Sequence, residues 1–131
     1  MPALANVTVK KSDGTTDITY TGLTPSSGDK TPAVFRVQSV GTSVRERPEV
    51  RVSTYDSPDG NRRVVKENYV YPVVKEINGV NTVVDYITKS VETKYPKQAL
   101  DDDVKEAAYQ SANVSAAALF KSVHETGFAP T

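Results

Sequence analysis

The chain has 131 residues with sixteen Lys or Arg, sixteen Asp or Glu and one histidine, so no overall charge draws it to nucleic acid or to an acidic surface. It contains no cysteine, which excludes disulfide frameworks, thiol catalysis and thiolate metal sites together. Its apolar fraction of 37% lies below the roughly 45–50%, glycine included, of ordinary globular domains, a shortage that predicts a monomer unable to finish its own core.

The opening "MPALANVTVK" lacks a charged leader with a long apolar run, and no stretch reaches membrane-spanning length, so a soluble protein of a cytoplasm is expected. "NVTVKKSDGTTDITYTG" (6–22) is two β-rich runs around a Ser-Asp-Gly turn, an N-terminal hairpin in which Val7 and Val9 keep the period of two. "LTPSSGDKTP" (23–32) is a loop of Pro, Ser and Gly. "AVFRVQSVG" (33–41) is expected as a strand with Ala33, Phe35 and Val37 on one side and Arg36 and Gln38 on the other. After the charged connection "SVRERP", residues 49–56 form the next strand and "DSPDGN" a strong turn. A long strand over 63–76 carries Pro72 at a bulge or on a side that donates no ladder bond. "INGVN" turns the chain again, and Val83 to Tyr95 makes the last strand. Short turns favour antiparallel pairing.

The character changes at Pro96. The following stretch is rich in Ala and free of proline until Pro130. Asp101 to Asp103 suit a first helical turn, where the backbone dipole favours negative charge. A second start is expected at Asn113 or Ser115, with Ala116, Leu119, Phe120 and Val123 at helical spacing and Gly127 as the stop. The expectation is two helices, or one kinked helix. The fold class is therefore α+β in a single domain over 1–131: an N-terminal β-hairpin (1–22), an antiparallel β-meander of four or five strands (33–95) and C-terminal α-helices (97–126). Two short helices make a small cover for one apolar sheet face, so the reading includes an intertwined dimer in which helices lie across a second copy's sheet and sheet edges join.

The inventory for catalysis is poor. His124 sits late in an amphipathic helix, where an imidazole usually satisfies the final carbonyls. Asp101, Asp102 and Asp103 imitate an acidic metal cluster, but consecutive helical residues point in different directions. No glycine-rich phosphate loop or Gly-x-Ser-x-Gly pattern is present. No enzyme, catalytic residue, metal, cofactor, membrane or small-molecule substrate is expected.

The strand faces say more. Alternation puts Arg51, Ser53 and Tyr55 on one side of their strand, Lys66 and Asn68 on one side of the next, and Tyr86, Thr88 and Ser90 with Glu92 and Lys94 on one side of the last. Tyrosine rings can stack unpaired bases, hydroxyls and amides can read base edges, and Lys and Arg neutralise phosphates. A one-sided antiparallel sheet is also normally polar on its wet face, so the residues alone leave both readings open, a non-viral RNA-binding β-sheet module among them.

In order and length the chain resembles the coat proteins of the single-stranded RNA bacteriophages, the leviviruses. The resemblance is most specific from "EVRVSTYDSPDGNRRVVKENYVYPVV" through "KEINGVNT" to "VVDYITKSVETKYP": a basic turn, a proline late in the long strand and a tyrosine early in the next. It implies a five-stranded meander and two helices, with each subunit's helices packed over its partner's sheet. It also implies an icosahedral shell assembled in the host bacterial cytoplasm, a virion location, and a second sheet face that meets the RNA genome. Binding of one RNA stem-loop would repress replicase translation. Position by position, the resemblance assigns Ser53 as a hydroxyl contact to a base, Lys66 and Asn68 as its neighbours and Tyr86 as a stacking ring, with Thr88 and Ser90 on the same face and Arg51 and Tyr55 flanking Ser53. The family often has Thr, Lys, Asn and Glu where this chain has Arg51, Asn68, Thr88 and Ser90, and Glu49 replaces a basic residue. Glu67 also interrupts the apolar side of its strand. These departures bear on which stem-loop would be bound. The loop "EINGVNT" (76–82) corresponds to the one that gathers around symmetry axes in such shells.

Overall fold

A computed structural model describes residues 2–131. The chain divides into two compact units, Met1–Lys94 and Tyr95–Thr131. The first is built on an antiparallel sheet of six strands in chain order: β1 (Val7–Lys10), β2 (Asp17–Thr24), β3 (Ala33–Val37), β4 (Glu49–Asp56), β5 (Arg62–Ile77) and β6 (Val80–Pro96). Strands β3 to β6 make a four-stranded meander where one was expected over 33–95, and β1 folds back on β2 as the N-terminal hairpin, Val7 opposite Tyr20 and Val9 opposite Ile18, with β2 extending the sheet by pairing with β3. Asp13 closes that hairpin by accepting hydrogen bonds from the amides of Thr15 and Thr16, both at 2.9 Å, and from the Thr16 hydroxyl.

Two boundaries differ from expectation for local reasons. Strand β3 stops at Val37 rather than continuing to 41, because Arg47 bends back over the next residues. Its Nε donates to the Val40 carbonyl at 3.0 Å and its Nη1 to Gln38 Oε1 at 2.8 Å. The charged connection is a short 3-10 turn over Val44–Glu46. Strand β6 begins at Val80 because the preceding turn is only Asn78 and Gly79, with φ of 52° and 78°, the left-handed pair that a tight two-residue hairpin requires. Pro72 lies in β5 two residues past the last pair with β4, Glu49 with Val70, so it interrupts no bond of that ladder.

Cross-strand partners share a face of the sheet. One face carries Tyr20, Phe35, Val50 and Tyr69, linked through the register of β2 to β5. The other carries Thr21, Arg36, Glu49, Arg51, Ser53 and Lys66. The core is thin. Among the described residues the buried apolar side chains are Val37, fully inaccessible, and Val64, 2% exposed, one on each face.

The second unit holds two helices, α1 (Asp101–Ala116) and α2 (Ala118–Thr126). Asp101, Asp102 and Asp103 occupy the first turn of α1 as expected. The start of α2 is a correction: neither Asn113 nor Ser115 caps it, since α1 runs through both, and the break falls at Ala117, in an extended conformation with no side-chain cap. In an alanine-rich run helix propagation outweighs an isolated capping residue. The stop is as read: Gly127, with φ of 79°, donates its amide to the Val123 carbonyl at 2.8 Å. Neither helix contains a buried residue, and Leu119 and Phe120 are 58% and 44% exposed.

Candidate nucleic-acid interface

The register assembles the polar residues singled out in the sequence. Arg51 of β4 lies opposite Asn68 of β5, Ser53 opposite Lys66, and Tyr55 opposite Val64. Ser90 of β6 donates its hydroxyl to Asn68 Oδ1 at 2.8 Å, which ties the last strand to the same side. Tyr86 and Thr88 precede Ser90 by four and two residues within β6, so the period of two carries them to that side as well. All eight candidates, Arg51, Ser53, Tyr55, Lys66, Asn68, Tyr86, Thr88 and Ser90, therefore share one face over three adjacent strands. Tyr86 is half exposed.

This face is not uniformly polar. Val34 stands on it beside Arg51, and the buried Val64 beside Tyr55, among hydroxyl, amide and cationic groups. Such a surface offers hydrogen bonds and an exposed tyrosine to an unpaired base. Its cationic side holds a group that the sequence does not bring together. Arg36 of β3 lies opposite Glu49 of β4, and Glu49 Oε1 accepts from Arg36 Nη2 at 2.7 Å and from Arg51 Nη2 at 3.3 Å. Alternation does put Arg36 and Glu49 on definite sides of their own strands. Their meeting depends on the β3–β4 register across an eleven-residue loop, which nothing in the residues fixes.

The opposite face is apolar with a polar centre. Val50, Glu67, Tyr69, Lys89 and Val91 line one hollow on it, and Val7, Val9 and Ile87 on the same side are exposed. In the middle, the hydroxyls of Tyr20 and Tyr69 share a hydrogen bond at 3.1 Å, with ring centroids 6.4 Å apart. Burial first, and the Tyr69 hydroxyl second, push ionisation of the Tyr20 phenol far upward, so Tyr20 stays neutral. Glu67 does lie on this face, as expected from its position in β5.

In the second unit, Asp101 to Asp103 lie in the first turn of α1 and His124 in the last turn of α2. Among the described residues no three His, Cys, Asp or Glu side chains gather as a metal site would require, and no helix is long and apolar enough to cross a membrane.

No protein-family model and no curated protein matches the sequence. Solved structures do match. The chain superposes with a TM-score of 0.83 and 26% identity on the subunit of a virus-like particle of Beihai levi-like virus 21, over 99% of each chain. A virus-like particle of bacteriophage NT-214 gives a TM-score of 0.81 at 12% identity, over 99% of this chain and 100% of that one. The capsid protein of bacteriophage GA gives 0.72 at 18% identity, over 94% and 95%.

Proposed function

From the premise that this chain has the coat-protein fold of the single-stranded RNA phages, we propose that it is a capsid subunit which dimerises, closes into an icosahedral shell and packages single-stranded RNA. The observation that carries the reading is the end-to-end match, over 99% of both chains, to a protein whose own structure is a virus-like particle.

Dimerisation is supported by what each unit leaves uncovered. Val7, Val9, Ile87 and Val91 on the sheet, and Leu119 and Phe120 on α2, are exposed in the single chain, and an apolar face of this kind is stable in water only when something covers it. A second copy of the chain supplies complementary cover by a two-fold exchange of helices. RNA binding is supported by the composition of the other face: the stacking ring of Tyr86, the Ser53, Thr88 and Ser90 hydroxyls, Asn68, and the cations Arg51 and Lys66. Tyr55 extends the ring surface beside Val64. Repression of the replicase through one stem-loop belongs to the same reading, as does assembly in the bacterial cytoplasm. The Asn78–Gly79 hairpin tip, whose two residues both adopt left-handed backbone conformations, is proposed as the contact loop around the shell's symmetry axes.

Expression in bacteria followed by negative-stain microscopy and ultraviolet absorbance tests this. The expected result is uniform hollow particles with copurified RNA. Small soluble species that bind RNA and never form shells would overturn the capsid reading in favour of a free-standing RNA-binding module.

A further inference from the structure

We infer that Arg36 and Arg51 together form one phosphate-binding station for single-stranded RNA, and that Glu49 is its built-in competitor. The inference rests on the proposed RNA-binding role of this face. It extends that role to Arg36 on β3, the neighbour of β4 on the side away from β5 and β6.

Three charges meet on adjacent strands. A single oxygen, Glu49 Oε1, accepts from Arg36 Nη2 at 2.7 Å and from Arg51 Nη2 at 3.3 Å. The side chains of Arg36 and Glu49 are each 18% exposed, whereas that of Arg51 is 51% exposed. One carboxylate between two guanidiniums leaves a net positive charge. It also leaves donors over, since each guanidinium has five N–H groups in a planar fork suited to phosphate. The carboxylate thus does two things at once. It holds both forks in position on the face, so their ordering is complete before RNA arrives, which lowers the entropy lost on binding. It also neutralises part of the charge that a phosphate would otherwise meet.

The shorter contact, to Arg36, is the firmer of the two, and the longer, to the more exposed Arg51, is the one a phosphate oxygen displaces first. Arg51 then faces the phosphate, with Arg36 contributing from behind it. Contacts of this kind release condensed counterions and therefore show in the salt dependence of affinity. Glu49 makes that dependence shallower than two free arginines would, so packaging leans on the base-stacking side of the face rather than on bulk charge.

The test is the affinity of the full-length chain for a short labelled single-stranded RNA of mixed sequence, measured across a salt series. Glu49→Gln keeps the side chain's shape and an acceptor oxygen while removing its charge. It is expected to bind several-fold tighter with a steeper salt slope. Arg36→Ala is expected to flatten the log–log slope by about 0.7, the value for one phosphate contact on a single strand, and Arg36→Lys to retain it. An Arg36→Ala slope equal to that of the unaltered protein, alongside a flattened Arg51→Ala slope, would overturn the shared station and leave the RNA-binding reading standing. Glu49→Gln that binds no tighter, with its thermal unfolding unchanged, would overturn the competitor role, and this arm decides even if Arg36→Ala fails to fold. Absence of RNA binding by the unaltered chain would remove both the inference and the reading beneath it.

Discussion

Tyr86 is a large ring left half exposed in the middle of a strand, a cost in water that stacking against a base would offset. Tyr86→Ala is expected to weaken stem-loop RNA binding by about 1–3 kcal/mol, the range for loss of one base–aromatic stack; equal affinities in a filter-binding titration would remove it from the interface. Asp13 has a different task. The hydroxyl of Thr16, then the amides of Thr16 and Thr15, stabilise its charged form and bring its pKa from 3.8 down to about 2. Because the folded value is the lower one, the contribution of Asp13 to the β1–β2 turn is complete above about pH 4 and disappears as the pH falls through about 2. An NMR titration should show the Thr15 and Thr16 amide shifts moving in that window; movement near pH 4 instead would mean that the turn bonds do not hold in solution. At this scale the strand faces were legible, since a period of two needs only one strand. The Tyr20–Tyr69 and Arg36–Glu49 contacts were not, because each joins residues whose meeting depends on register between strands far apart in the chain.

Among the elements, Arg63 supplies side-chain bonds that tie the loop between β2 and β3 to the sheet. Arg63 of β5 donates from Nη2 and Nη1 to the two carboxylate oxygens of Asp29 at 2.7 and 3.0 Å, to Asp56 Oδ1 at 2.9 Å and to Thr54 Oγ1 at 3.1 Å. Beside it the Lys30 amide donates to the Thr54 carbonyl at 3.0 Å. Arg63→Ala is expected to speed hydrogen exchange at the Lys30 amide while amides at the centre of the β4–β5 ladder keep their protection; unchanged exchange at Lys30 would show that the loop is held by its backbone alone. The β5–β6 hairpin should be sensitive to its tip. Gly79→Ala forces a side chain into a left-handed backbone with φ of 78°, at an expected cost of about 1–2 kcal/mol in denaturant unfolding. Element types were legible along the whole chain because turn residues punctuate it strongly. The ends of β3 and α1 were not: one is set by the reach of the Arg47 side chain, the other by a backbone break at Ala117 that no side chain marks.

For the molecule as a whole, the low apolar fraction goes with a scarcity of fully buried side chains among the described residues. The residues that would complete a core are present, on the sheet as Val7, Val9, Ile87 and Val91 and on α2 as Leu119 and Phe120, but they lie exposed in a single chain. Sequence composition indicates this shortage, and the helical spacing of the α2 stripe shows which residues it leaves over; the proposed cover by a second copy depends on docking between chains, which no pattern along one chain encodes. Phe120→Glu is expected to abolish shell formation while leaving far-ultraviolet circular dichroism of any soluble protein essentially native, since it places a charge on the face that requires cover. The most direct test is the mass of the smallest folded species, measured by sedimentation after shells are dissociated under mild conditions. Mutual covering by two copies predicts twice the mass of one chain, with the α2 amides protected from exchange; a folded species of one chain's mass with those amides equally protected would contradict it.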